Sequence, residues 1–125
     1  MAIDGAAQYC YLTTTGRVSG EPREIEIWFG LIGETAYLLS GSGEDERGPK
    51  AHWVRNILQH DAVTVRIGEA TYPGRARIVD RGTEEDAAAR ALVVPKYQPG
   101  YSNDLTNWGR TSLVVAVDLQ SAGGI

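Results

Sequence analysis

An α+β fold that is mainly β, a small antiparallel barrel with two short helices, is what this sequence predicts. Three observations lead there. Six separate stretches read as strands, several with apolar and polar residues alternating with period two, as half-buried strands do. The first three of these stretches are joined by links too short for a parallel crossover. Only two stretches carry helical spacing. The predicted order is β-β-β-α-β-β-α-β. Six strands with short helices do not make a doubly wound sheet; they fit a six-stranded barrel closed by antiparallel pairing. A barrel of that size fills its interior with side chains, so a ligand would sit on its rim or in a cleft.

The elements follow in order. Gln8 to Thr14 is rich in β-branched and aromatic residues and reads as a strand. Gly16, Gly20 and Pro22 then punctuate a turn. From Arg23 to about Leu31 the chain alternates again, with Ile25, Ile27 and Phe29 on one face and Glu24, Glu26 and Trp28 on the other. Gly33–Glu34 turns the chain into a third strand, Thr35 to Ser40. A polar, glycine-rich loop, Gly41 to Gly48, leads to Pro49, which suits the first turn of a helix carrying Trp53 and Ile57 at helical spacing. Ala62–Ile67 and Ala70–Val79 alternate around a Gly68–Glu69 turn, and Pro73–Gly74 suggests a bulge or an edge position. Thr83 can cap a second helix whose first turn holds Glu84, Glu85 and Asp86, and that helix is expected to end near Val94, ahead of Pro95. Lys96 to Trp108 reads as irregular. Thr111 to Leu119 is the last strand.

The chain of 125 residues fits a single domain spanning 1–125, with 1–7 and 120–125 expected to fray. No apolar run approaches the ~20 residues of a membrane span. The start, MAIDGAAQ, lacks the features of a secretory signal. A lone cysteine, Cys10, sits in an apolar strand and reads as a small core residue. These features lead to the expectation of a cytoplasmic protein. The net charge of −4 argues against nucleic-acid binding. Six of the acids fall in two short runs, 44–46 and 84–86, which leaves the turn-rich parts mildly basic.

No catalytic nucleophile is recognisable, and His52 and His60 have no metal-ligand pattern around them, so no metal is assigned. What does converge in kind is an anion-binding set. Arg17 and Ser19 lie in the first turn and Arg23 where the next strand leaves it, so free N–H groups, a hydroxyl and two guanidinium groups share one small volume. The Ser40–Gly41–Ser42 loop offers close backbone approach, and the helix with Trp53 and Asn56 an aromatic wall. A phosphorylated, flat, conjugated cofactor needs such a combination, and it would carry the reactive atom itself.

Quoted in order, TTTGRVSGEPR, YLLSGSG, WVRN at Trp53–Asn56, DAVTVRIGEATYPGRARIV, KYQPGY and the closing WGRT at Trp108–Thr111 resemble the deazaflavin-dependent nitroreductase family of the split β-barrel flavin and deazaflavin oxidoreductases. The likeness runs from Leu12 to Leu119. It implies a split barrel of the FMN-binding type, coenzyme F420 as hydride carrier, and reduction of a quinone, a nitroaromatic or a similar small conjugated acceptor. It also implies that Arg17, Ser19 and Arg23 hold the coenzyme's phosphate and tail. Ser40, Gly41 and Ser42 would lie near the deazaflavin, Trp53 and Asn56 would line its groove, and Trp28 would face it. Tyr97 and Tyr101 would line the substrate pocket, and Ser40, Tyr97 or Tyr101 would give a hydrogen bond to developing negative charge. Split barrels often pair, so the leaning is toward a homodimer. Val18 and Gly41 stand where the family usually has lysine, and few residues precede the match where many members have a helix. Two alternatives remain open at this point: an FMN-dependent split-barrel oxidoreductase, and a cofactor-binding module without turnover.

Overall fold

A computed structural model describes residues 3–40 and 51–120. Its strands are β1 (Cys10–Thr15), β2 (Pro22–Ile27), β3 (Gly30–Ile32), β4 (Thr35–Ser40), β5 (Ala62–Ile67), β6 (Ala70–Ile78) and β7 (Leu113–Leu119). Its helices are α1 (His52–Gln59), α2 (Glu84–Tyr97) and α3 (Thr106–Thr111), with a 3-10 turn at Gln98–Gly100. All seven strands form one curled antiparallel sheet in the order β2-β1-β5-β6-β7-β4-β3. Among the described residues no helix is long and apolar enough to cross a membrane.

Six strands were expected and seven are found among the described residues, because the predicted strand Arg23–Leu31 is two. β2 pairs with β1, from Cys10↔Ile27 to Thr15↔Pro22, at one edge of the sheet. β3 pairs with β4, Gly30↔Tyr37, at the other edge. Trp28 and Phe29 carry the chain from one edge to the other. The alternation runs straight through this crossing, so a local pattern does not reveal it; only the long-range pairing divides it.

Two hydrophobic clusters flank the sheet. The inner one holds Leu12, Phe29, Leu38, Val65, Val115 and Val117, and α1 contributes Val54 and Ile57 to it. The outer one holds Tyr37, Leu39, Val114 and Ala116 beneath Ala89, Val93 and Tyr97 of α2 and Leu105 just before α3. β4 and β7 are therefore buried on both faces, which accounts for their near-continuous apolar runs, TAYLLS and LVVAVDL. β1, β5 and β6 cover one face only and alternate. Cys10 lies in the inner cluster, where burial pushes its thiol up to about 12, so it stays protonated and unreactive.

Three further expectations are corrected. Pro73 and Gly74 make neither a bulge nor an edge, since β6 is an interior strand in regular register with β5 (Thr64↔Pro73). The partner β7 begins only at Gly74↔Leu119, so the donor that proline lacks falls beyond the end of that ladder. α2 does not stop near Val94 but runs through Pro95 to Tyr97. Lys96 and Tyr97 both bond the β2–β3 crossing, and that anchorage offsets the roughly 3 kcal/mol an interior proline costs. The segment read as irregular, Lys96 to Trp108, runs into α3, which continues to Thr111, where the last strand was expected to start. It has no repeating apolar pattern of its own. The Arg81 guanidinium bonds the carbonyls of Arg110, Thr111 and Ser112 at its C-terminal end, and Arg90 Nη1 bonds that of Gly109.

Candidate functional site

The β1–β2 turn is closed by Gly16 N–H to Glu21 O and Gly20 N–H to Gly16 O, both 2.8 Å. Gly20 has φ +74°, a conformation that glycine adopts without strain. Glu21 N–H and Arg23 Nη2 both donate to Ser19 Oγ, at 3.1 and 3.4 Å. Ser19 thereby ties Arg23 back onto the turn.

Helix α1 then fixes Arg17. Asn56 is 4% exposed. Its Oδ1 accepts from Arg17 N at 3.2 Å and from Arg17 Nη1 at 3.0 Å, while its Nδ2 donates to Thr14 Oγ1 at 3.0 Å. Arg17 Nη1 also reaches His52 O at 3.5 Å, and Nη2 lies 3.3 Å from His52 Nδ1. One amide thus satisfies a strand hydroxyl, a turn N–H and a guanidinium together, and the helix positions the turn. Between turn, β2 and α1 opens a cleft of about 720 Å³ lined by Arg17, Ser19, Arg23, His52, Trp53 and Asn56. Trp53 is half-buried: it packs on the inner core and also walls this cleft. Neither arginine has an ion-pair partner among the described residues. Two guanidinium groups, a hydroxyl and an indole in one groove suit an anionic ligand with a flat conjugated part.

A second cleft, of about 560 Å³, lies further along the same edge strand and is walled by Tyr9, Trp28, Tyr101 and Trp108. The first half of β2 lines the turn cleft and its last two residues line the aromatic one. Trp28 stacks on Tyr97 with centroids 4.4 Å apart and planes 3° from parallel. Tyr101 and Trp108 meet Trp28 edge-on at 5.5 and 5.7 Å. The four rings make one rigid aromatic assembly.

The residues singled out from the sequence divide accordingly. Arg17, Ser19, Arg23, Trp53 and Asn56 share the turn cleft, and Trp28 and Tyr101 share the aromatic one. Tyr97 supports the aromatic cleft from behind. It is 7% exposed, and its hydroxyl accepts from Phe29 N at 2.9 Å and lies 2.7 Å from Gln8 O. Burial pushes that hydroxyl up to about 12 and keeps it protonated. Ser40 is buried at the end of β4, opposite Leu113, on the inner-core side of the strand; among the described residues it lines neither cleft. Gly41 and Ser42 lie outside the described residues. Sequence reasoning missed His52, Tyr9 and Trp108. His52 falls one helical turn before Asn56 on the same face, a spacing that could have paired them. Arg75 and Arg77, which share a strand face, belong to neither cleft: Arg75 pairs with Asp61, and Arg77 with Glu85 and Asp118.

Comparisons with known proteins give a family and a fold. A family model described as F420H(2)-dependent quinone reductase matches residues 3–120. No curated protein matches the sequence. Among solved structures, an F420-H2 dependent reductase (FDR-A) superposes with a TM-score of 0.67 at 26% identity, over 88% of this chain and 93% of that one. A domain-swapped dimer superposes at 0.69 with 27% identity, over 88% and 79%. HutZ, the heme storage protein from Vibrio cholerae, shares the fold at 0.64 with 17% identity, over 93% and 84%.

Proposed function

This chain belongs to the F420H(2)-dependent quinone reductase family and is an F420-dependent oxidoreductase; from that premise we propose that the turn cleft holds the anionic part of the coenzyme and the aromatic cleft a quinone, nitroaromatic or similar conjugated acceptor. The observation that carries this reading is the shared edge strand. β2 lines the guanidinium-bearing cleft with Pro22–Ile25 and the aromatic cleft with Glu26 and Ile27. At about 3.3 Å per residue, Arg23 and Trp28 are roughly 16 Å apart along the chain, a span over which a coenzyme anchored by its anionic part at the turn can reach an acceptor held in the aromatic cleft.

Each residue then has a task. Arg17 and Arg23 meet negative charge, and Asn56 fixes Arg17 before the ligand arrives, so little side-chain entropy is lost on binding. Trp53 gives the conjugated part an apolar wall. When bound, coenzyme F420 supplies the hydride. Trp28 and Trp108 hold the acceptor flat and exclude water, and the Tyr101 hydroxyl donates a hydrogen bond toward charge that develops on the acceptor oxygen. The family match selects F420 over FMN as the carrier. A homodimer is supported by the domain-swapped dimer of a similar structure.

The test is a titration with the coenzyme and with FMN, following cofactor fluorescence, and then addition of a quinone to the protein with reduced coenzyme. Saturable binding of F420 and quinone-dependent oxidation are expected. Tight binding of FMN alone would overturn the reading.

A further inference from the structure

We propose that the aromatic cleft selects flat acceptors that carry a positive charge and discriminates against anionic ones. The inference rests on the reading of that cleft as the acceptor site, and it names the charge class of the occupant. Its walls are Trp28, Trp108, Tyr101 and Tyr9, and among the described residues the ionisable groups that line it besides the tyrosines are two carboxylates, Glu26 and Asp104, with no lysine, arginine or histidine. The turn cleft is the reverse, with Arg17, Arg23 and His52 against a single carboxylate, Glu24. The two clefts share β2, so one edge strand carries a basic end and an acidic end.

Both carboxylates are held in place. Asp104 Oδ1 accepts from Thr106 N at 3.0 Å and from Thr106 Oγ1 at 2.6 Å, and these bonds hold its carboxyl below the usual range, so it is ionised at neutral pH. Glu26 Oε1 accepts from Tyr11 OH at 2.7 Å across the β1–β2 pair. Among the described residues two cations lie near these walls without lining the cleft. Arg66 stands over the Tyr11 ring at 4.1 Å, and Lys96 over the Phe29 ring at 3.8 Å, with its Nζ bonded to the carbonyls of Gly5 and Phe29. A cationic conjugated ring gains from the indoles that line the cleft, Trp28 and Trp108, and from both carboxylates at once. A sulfonate or carboxylate on the same ring would face like charges.

Three naphthoquinones that differ only in one substituent test this: uncharged, quaternary ammonium and sulfonate. Each is titrated into the full chain without coenzyme, following tryptophan quenching, with Trp108→Phe locating the signal. At low salt the cationic quinone should bind about tenfold more tightly than the sulfonate, and the gap should shrink severalfold in 0.5 M salt. Glu26→Gln with Asp104→Asn should reduce the gap to about twofold or less, while quenching amplitude should fall in Trp108→Phe. Equal affinities for the three quinones, a gap that survives the double variant, or quenching unaltered by Trp108→Phe would each overturn the proposal. Turnover with reduced coenzyme separates the two claims. A cation preference in binding without reduction of any quinone sinks the acceptor-site reading and leaves the charge selection standing. Equal turnover and equal binding of all three does the opposite.

Discussion

Arg17 is a strut held by Asn56, and in the proposed reading it is a ligand contact as well. Arg17→Ala should weaken coenzyme binding by about 1–3 kcal/mol, read by fluorescence titration, because a charge-assisted contact in a sheltered cleft is lost. Arg17→Lys should not restore it, since an ammonium cannot reach Asn56 Oδ1, His52 and an anion together. Asn56→Ala removes bonds to Thr14 and to Arg17 from a buried position, so it should cost roughly 1–3 kcal/mol of folding stability in urea and weaken the coenzyme as well. The arginines and Ser19 were legible in the sequence because a glycine- and proline-punctuated turn gathers them locally. Asn56 was legible as a residue and not as a hub, and for His52 the one local signal was its helical spacing to Asn56. Their partner Arg17 lies 39 and 35 positions away, and no local pattern encodes that meeting.

Among the elements, the Trp28–Phe29 crossing decides the architecture. It leaves backbone groups without a ladder, and the end of α2 satisfies them: Tyr97 OH takes Phe29 N–H, and Lys96 Nζ donates to Phe29 O. Tyr97→Phe keeps the stack on Trp28 and strands a buried N–H, so it should lower stability by about 1–3 kcal/mol in urea. Tyr101→Phe, at an exposed position, should leave stability unchanged and slow acceptor reduction. Gly30, just after the crossing, leaves no room for a side chain: a Cβ there would sit 2.7 Å from Leu92 Cδ2 and 3.1 Å from Val93 Cγ2. The sequence made the strands and the Thr83 cap plain, because period and capping chemistry are local. It hid the break between β2 and β3, the passage of α2 through Pro95, and α3, because those are settled by contacts between distant segments.

At the scale of the whole molecule, charge is sorted. On the outer face of the sheet Arg77 joins Glu85 and Asp118, Tyr37 OH donates to Glu85, and Thr35 to Asp118. The Arg77 guanidinium beside it brings Glu85 from 4.5 down to about 2, and Asp118 is also lowered. A depressed folded-state value means stability that is fully present above pH 4.5 and lost as the pH falls toward 2. The melting temperature should drop across that window, and less steeply in Glu85→Gln. This network braces β6, β7 and α2 away from the clefts, and leaves Arg17 and Arg23 as the cations at the turn. The central claim is that these two arginines anchor the coenzyme of an F420-dependent reductase. It is tested most directly by the dissociation constant of coenzyme F420 for the native chain and for Arg17→Ala/Arg23→Ala, with folding checked by circular dichroism. Saturable binding that weakens at least tenfold in the folded double variant is the predicted result; an unchanged dissociation constant would contradict the account.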